Sequence, residues 1–395
     1  MKKVIIGMSG GVDSSVSAML LKEQGFSVIG IFLRNWTNPN YRENDKCHWI
    51  EDSIDAMLVC QQLNIPFHII DMSLDYKKIV VDCLFKEFSS GRTPNPDVLC
   101  NREIKFNIFL KQARSLNADF IATGHYAICK KINKSHHIIY RLLEGVDKKK
   151  DQSYFLCQLN QEQLSKSIFP IGKYKKNQIR NKAEEAGLIT SKKKDSQGLC
   201  FVGKIRISDF LQSQLKCKLG DIIEIFSDDP TYQSPIIPID NKEKGFIYFF
   251  TNRRKHKFGK RIGSHYGAHL FTKGQRKGIR IGGYKEGLFV LDIDIETNII
   301  YVGTGVNHPG LYKSALFIKE EDIHWIREDL LLLQGDKLNV KCRIRYRQNL
   351  QHAQLQRAKK GLYIRFETPQ KTITEGQFSA WYLKDELIGS GMIVC

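Results

Sequence analysis

The 395-residue chain has no run of 18 or more apolar residues, the length that a membrane-spanning helix requires. It has no C-x-x-C pair, and none of its ten cysteines forms a cluster with histidine at zinc-ligand spacing. Nor are the cysteines grouped as an iron–sulfur centre needs. Most of them therefore read as small, buried, reduced hydrophobes of a cytoplasmic protein, with no protein-held metal. Walker-type G-x-x-x-x-G-K-[ST] and dinucleotide-type G-x-G-x-x-G loops are both missing. There are no internal repeats. Acidic residues are few, 42 against 61 Lys and Arg, for a formal net charge of +19. That balance favours a polyanionic partner, nucleic acid first. Solvated runs such as Lys148–Lys150 and Lys192–Lys194 account for part of it. The start, MKKVIIGMSG, superficially resembles a secretory leader, but its apolar run is too short and a Gly-rich loop stands where cleavage would fall. It reads as a first β-strand.

At 42% hydrophobic residues the chain can build ordinary cores, and its length predicts two or three domains. KVIIGM (3–8) and SVIGIFL (27–33) have strand character, as does FHIID (67–71). Val12, Val16, Met19 and Leu20 mark one helix face, with Gly25 as its C-terminal stop. Ile50, Ile54, Met57 and Leu58 mark the next helix, and another runs from about Tyr76 to Phe88. A helix after the TPNPD loop places Phe106, Phe109, Leu110, Ala113 and Leu116 on one face. ADFIATGH (118–125) closes the series with a strand. This alternation predicts a mostly parallel sheet covered on both faces, with ligands beyond its carboxyl edge. Residues 1–205 are expected to form this α/β domain. Residues 206–310 read as a small β-rich domain with a basic insertion near 227–262. Residues 311–395 read as a C-terminal β-barrel or sandwich.

Two motifs carry chemistry. In Ser9-Gly10-Gly11-Val12-Asp13-Ser14 a Gly-rich turn joins a strand to a helix. Backbone N–H groups and the helix N-terminus can close there around phosphate oxygens. In TPNPDVLCN (93–101) two prolines stiffen a loop in front of Cys100. Asp97 in this loop has two readings, an active carboxylate or a helix N-cap. Near the C-terminus, Arg343, Arg345 and Arg347 alternate along an expected strand, a stripe suited to phosphate, and Tyr346 can stack on an unpaired base.

The loop SGGVDS resembles the PP-loop of the ATP pyrophosphatases. GMSGGVDSSV, GRTPNPDVLCN, ATGHY, KDQSYFL, KKKDSQGLCFVG, GQRKG, RYRQ and EGQFSAWY follow in the order seen in the bacterial tRNA 2-thiouridylases, so the resemblance spans nearly the whole chain. It implies an N-terminal PP-loop domain of the adenine-nucleotide α-hydrolase type. It also implies ATP-dependent 2-thiolation of the wobble uridine of Lys-, Glu- and Gln-type tRNAs. In that reaction the uracil O2 is adenylated and replaced by persulfide sulfur, giving 2-thiouridine, AMP and pyrophosphate. By the same resemblance ATP with Mg2+ would be held by Gly7, Met8, Ser9, Gly10, Gly11, Val12, Asp13, Ser14, Leu33 and Gly124. Cys200 would accept the persulfide and Cys100 would be the second active cysteine. Asn95, Pro96 and Asp97 would meet the base, with Asp97 either transferring a proton or orienting it. His125, Lys150, Asp151, Gln152, Arg345, Tyr346 and Gln377 match tRNA-contact positions, although a satisfied structural histidine also fits His125. A cysteine desulfurase or a sulfur-relay protein would donate the sulfur. The insertion near 227–262 departs from the family pattern and fits a spacer, an RNA contact or a partner surface. Two other readings stand beside this one: another PP-loop adenylating synthetase, and a non-catalytic RNA-binding protein.

Overall fold

The computed structural model describes residues 1–35, 48–134, 137–194, 207–212, 215, 217–232 and 259–394. Its first layer is a parallel sheet of β1 (Lys3–Met8), β2 (Ser27–Arg34), β3 (Phe67–Asp71), β4 (Phe120–Ala122) and β7 (Ser167–Ile168), in the order β3-β2-β1-β4-β7. Strand β1 is central, and Val4, Ile5 and Ile6 are all fully buried, as a strand covered on both faces demands. Helix α1 (Val12–Glu23) returns the chain to β2. Its expected face of Val12, Val16, Met19 and Leu20 packs in one cluster with Tyr126, Ile171 and Ile179. The chain grows outward from β1 through β2 to β3, then crosses back to β4 on the opposite side. This reversal opens a crevice beyond the carboxyl ends of β1 and β4, where ligands of such sheets bind.

Helix α2 (His48–Gln62) exists as expected, but its apolar marks face outward. Ala56, Val59 and Cys60 pack on the sheet, whereas Ile50, Ile54, Met57 and Leu58 are exposed. Small inward residues are needed because α2 lies close against β2: a Cβ on Gly30 would stand 2.5 Å from the Cys60 sulfur. Helical turns cover residues 73–89 and 96–115, each with a π-helical middle (Lys77–Val81 and Cys100–Ile108). None of the helices in the described residues is long and apolar enough to cross a membrane.

Strands β8 (Gly220–Glu224), β9 (Lys260–His265), β10 (Leu288–Asp294) and β11 (Ile299–Thr304) make a second, four-stranded sheet. The part of the expected insertion from 233 to 258 lies outside the described residues. A third sheet joins β12 (Tyr312–Lys319), β16 (Gly361–Lys371), β15 (Gln351–Ala358), β14 (Lys337–Arg343), β17 (Phe378–Leu383) and β18 (Glu386–Met392). The bridge between Phe317 and Val394 closes it into the expected C-terminal barrel.

The sequence reading missed one hairpin, β5 (Ala127–Lys134) with β6 (His137–Glu144). It leaves the parallel sheet and pairs β6 with β18, while β13 (Ile323–Trp325) pairs further along the same strand. A buried ion network sits at this seam. Arg343 bonds Asp151 at 2.9 Å and also Glu144, and Glu386 bonds both Arg141 and Arg327. Burial pushes the Asp151 carboxyl up, and Arg343 together with the N–H groups of Gly145 and Ser153 works against that push. Arg343→Ala would leave the buried Asp151 carboxylate without its cation, while Glu144 keeps Lys148, at a cost of about 3–5 kcal/mol. A urea titration should show the midpoint fall accordingly, and an unchanged midpoint would contradict this account of the seam.

Candidate active site at the carboxyl edge of the parallel sheet

The Gly-rich turn occupies the mouth of the crevice. Gly10 adopts φ +69°, and a Cβ there would lie 2.2 Å from the Asp52 carbonyl oxygen. Only glycine fits that turn without displacing α2. Gly11 caps the 12-residue α1 with no side-chain bond, so side chains leave the helix's first N–H groups uncapped. The Ser9 N–H donates to the Ser14 hydroxyl at 3.2 Å, and the Ser14 hydroxyl donates to the Gly11 carbonyl at 3.0 Å. Across the crevice, Gly124 follows β4, and a Cβ on it would stand 2.9 Å from Ser14 N. Strand-end and loop thus touch backbone to backbone. The arrangement suits a phosphate group held by backbone N–H groups and hydroxyls.

Asp13 is the carboxylate of this loop. The Tyr126 hydroxyl donates to it at 2.7 Å, and the Lys176 ammonium bonds both of its oxygens at 2.8 and 2.9 Å. Tyr126 was within the quoted ATGHY stretch. Lys176 was missed, since it sits on the helix Lys176–Glu185 in a basic run with nothing in the sequence to distinguish it. Within the described residues no group of three His, Cys, Asp or Glu gathers into a metal site.

The TPNPD loop is held from the barrel side. Asn95, not Asp97, is the N-cap, accepting from the Val98 N–H at 3.2 Å, with Pro96 at the first helical position. Asp97 lies in the first turn and is thereby released from the capping reading. Gln377 donates to the carbonyls of Thr93 and Pro94 at 2.9 and 3.1 Å and accepts from Asn95 at 3.3 Å. The Thr93 N–H donates to the Glu375 carbonyl at 2.9 Å. Cys100 is 1% exposed and belongs to a core that runs from Ile5 to Ala380 and Tyr382, with Leu33 packed against it. A cleft of about 630 Å³ between this helix and the barrel has Pro94, Asn95 and Leu99 on its wall. Cys200 lies outside the described residues.

The expected RNA contacts are scattered in their roles. Asp151 is buried and accepts from Gly145 N–H, from the Ser153 N–H and hydroxyl, and from Arg343. Gln152 clamps the Tyr126 backbone, accepting from its N–H at 3.0 Å. Lys150 is half-buried in the preceding turn. The arginine stripe does not form. Strand β14 ends at Arg343, which is buried, and Arg347 turns away at φ +63°. Arg345 is exposed and bonds the Thr372 hydroxyl at 3.0 Å, while the Tyr346 ring lies 4.3 Å from that of Phe155. His125 is buried between Phe106 and Phe169 and pairs through Nδ1 with the Thr123 hydroxyl at 2.7 Å. Burial, helped by the charge of Lys105, holds this imidazole well below the usual range.

Three family models match the chain: a tRNA methyl transferase HUP domain over residues 2–204, a tRNA methyl transferase PRC-barrel domain over 241–304, and an aminomethyltransferase beta-barrel domain over 317–393. The tRNA-specific 2-thiouridylase MnmA of Christiangramia forsetii is 52% identical over 400 residues, covering 100% of both chains. That of Flavobacterium johnsoniae is 51% identical, again over 100% of both, and that of Shouchella clausii is 41% identical over 99% of this chain and 96% of its own. The chain belongs to the tRNA-specific 2-thiouridylase family. A solved 4-thiouridine synthetase–RNA complex with bound ATP overlaps at 19% identity over 54% of this chain and 50% of its own, at a TM-score of 0.33, too low to support an argument. In this family member the loop after β1 and the strand-end at Gly124 meet at the switch point, and the Cys100 helix is tied to the barrel.

Two outcomes follow. Gln377→Ala should release the loop at 93–95, so that trypsin cuts after Arg92 about tenfold faster while the global unfolding midpoint barely moves. Equal cleavage rates would show that Gln377 does not restrain it. For His125, the unfolded chain takes up a proton near pH 6.5 and the folded chain does not. Its contribution to stability is therefore complete above that pH and is lost as pH falls through it, by up to about 1.4 kcal/mol per pH unit. Urea midpoints at pH 7.5 and 5.5 should differ less in His125→Gln than in the unsubstituted protein.

Proposed function

We propose that the protein is an ATP-dependent sulfurtransferase that converts the wobble uridine of Lys-, Glu- and Gln-type tRNAs to 2-thiouridine. The observation that carries this reading is the end-to-end match to 2-thiouridylases at up to 52% identity. It outweighs the methyl-transferase wording of the domain descriptions, because it runs the full length of both chains. The uncapped start of α1 and the serine hydroxyls beside it support phosphate binding there.

The chemistry explains the residue set. Oxide is a poor leaving group, so the uracil O2 attacks the α-phosphorus of ATP and pyrophosphate departs. Gly7 to Ser14, Leu33 and Gly124 would hold the nucleotide, with Mg2+ on its phosphates. Lys176, which bonds Asp13 of this loop, would add a positive charge beside the nucleotide phosphates. The terminal sulfur of a persulfide on Cys200 then attacks C2, and AMP leaves with the former oxygen. The Cys100 thiolate attacks the Cys200 sulfur, releasing 2-thiouridine and a Cys100–Cys200 disulfide that a dithiol reductant reopens. Asn95, Pro96 and Asp97 would receive the flipped base on a loop already ordered by Gln377, which lowers the cost of positioning it. Arg345 and Tyr346, at the barrel's exposed turn, would meet the tRNA. Lys150 would join them, while Asp151, Gln152 and Gln377 would act by shaping the surface that the tRNA meets. A cysteine desulfurase, directly or through a relay protein, would charge Cys200 in the cytoplasm.

The test combines the protein, Mg·ATP, unmodified glutamate tRNA, cysteine and a cysteine desulfurase, followed by nucleoside mass spectrometry. We expect 2-thiouridine from the unsubstituted protein and none from Cys100→Ser or Cys200→Ser. Asp13→Ala should cut pyrophosphate release at least 100-fold with tRNA affinity unchanged, and Lys176→Ala at least tenfold. tRNA binding without any ATP cleavage would favour the non-catalytic RNA-binding reading instead.

A further inference from the structure

A closed ring of hydrogen bonds joins the turn at residues 145–152 to the phosphate loop. On one side Gln152 holds the backbone of Tyr126. Its side-chain oxygen accepts from the Tyr126 N–H at 3.0 Å, and its own N–H donates to the Tyr126 carbonyl at 2.9 Å. The Tyr126 hydroxyl then reaches Asp13. On the other side Asp147 uses both of its carboxylate oxygens. One accepts from the Lys149 N–H at 3.1 Å within the turn, and the other accepts from the Lys176 N–H at 2.9 Å. Lys176 is the first residue of the helix Lys176–Glu185, and its ammonium returns to Asp13. The first N–H of a helix has no partner within the helix, and a carboxylate is favoured there by charge as well. The Asp147 carbonyl completes the turn by accepting from the Lys150 and Asp151 N–H groups at 2.9 and 2.8 Å.

This ring has little slack. A Cβ on Gly145 would stand 2.7 Å from the Tyr126 carbonyl oxygen, and one on Gly172 would stand 1.8 Å from that of Ala127. The Val146 N–H donates to the Gly172 carbonyl at 3.0 Å. The three segments therefore pack backbone to backbone. The turn cannot shift without moving the tyrosine hydroxyl or the lysine ammonium that hold Asp13. The turn also carries Lys148, Lys149 and Lys150, the first two exposed. A polyanion settled on these lysines fixes the turn, and nucleotide phosphates beside Lys176 fix the far side of the same ring. Whichever ligand arrives first orders the ring, and the second meets it already ordered.

We propose that Asp147 is a positioning residue that makes tRNA binding and nucleotide binding strengthen each other. It acts through Lys149 on the tRNA side and through Lys176 on the phosphate side, with Tyr126 as the parallel link. This rests on the sulfurtransferase reading above, in which the turn around Lys150 meets the tRNA. A residue that only stabilised the helix start would change the unfolding midpoint or the affinity for one ligand. It would leave the ratio of affinities with and without the second ligand as it was.

The test uses the full-length protein, unmodified glutamate tRNA and α,β-methylene-ATP, which cannot be cleaved between its α and β phosphates. Calorimetry gives the Kd of each ligand alone and with the other at saturation. We expect tRNA to tighten nucleotide binding at least fivefold, and the nucleotide to tighten tRNA binding by the same factor, as linkage requires. Asp147→Asn keeps the side chain's size but loses its charge and one of its two acceptors. It should lower the factor at least threefold, and Asp147→Asn/Tyr126→Phe should bring it to one. Hydrogen exchange supplies a second readout that needs no tRNA. Saturating nucleotide alone should slow exchange at residues 147–152 at least threefold in the parent and leave it unchanged in the double variant. A factor of one in the parent, the parent's factor in the double variant, or exchange at 147–152 that ignores the nucleotide would each overturn the proposal. A parent that binds no tRNA would defeat the functional reading instead, and the exchange comparison alone would then decide whether the ring transmits.

Discussion

Gly124 and the Asp13–Ser14 peptide meet with no room for a side chain between them. That close approach is what the rest of the site depends on. It exists because β1 and β4 are adjacent at the point where the sheet reverses direction, so the turns leaving both strands converge. Held from that side by Gly124 and from the other by the Asp52 carbonyl, the turn at Gly10 and Gly11 presents the start of α1 toward the crevice. Tyr126, two residues beyond Gly124, reaches Asp13 from the same strand-end. Its backbone is in turn clamped by Gln152, so the loop's carboxylate is oriented by a chain of contacts that runs outward toward the barrel.

The barrel is part of this site and not an appendage. One core includes Ile5 and Ile31 of the parallel sheet, Cys100 of the proline-loop helix, and Ala380, Tyr382 and Leu387 of the barrel. The β5–β6 hairpin and the Arg343–Asp151–Glu144 ions fasten the two, and Gln377 fixes the stretch from Thr93 to Asn95. Asp151, Gln152 and Gln377 therefore have structural work independent of any RNA. Substitutions at Asp151 and Gln152 will combine effects on stability with effects on recognition, and those at Gln377 will combine recognition with the order of the 93–95 loop. Arg345, exposed in the turn after β14, separates the two more cleanly.

Local features were legible where a local pattern determines them. Strand β1 reads as an uninterrupted apolar run, α1 as a periodic face, and Gly10 as a turn glycine, and each is realised. The hairpin β5–β6 was not legible, because its fate is decided by pairing with Glu386 and Leu387, more than 240 residues later. Lys176 was hidden for the same reason: its partner Asp13 is 163 residues away. The arginine stripe failed because alternation alone does not extend a strand, and the chain leaves β14 at Arg343 for a turn that needs φ > 0 at Arg347. On α2 the apolar spacing identified a helix correctly and its buried side wrongly, since the close packing against Gly30 selects small residues for the sheet side.

The measurement that tests the central claim most directly follows the oxygen. A glutamate tRNA carrying 18O at the C2 oxygen of its wobble uridine would be incubated with Mg·ATP and a sulfur source, and the AMP examined by mass spectrometry. Adenylation of O2 at the phosphate loop predicts one 18O in AMP for each 2-thiouridine formed. AMP without the label, or label released as inorganic phosphate, would contradict the account.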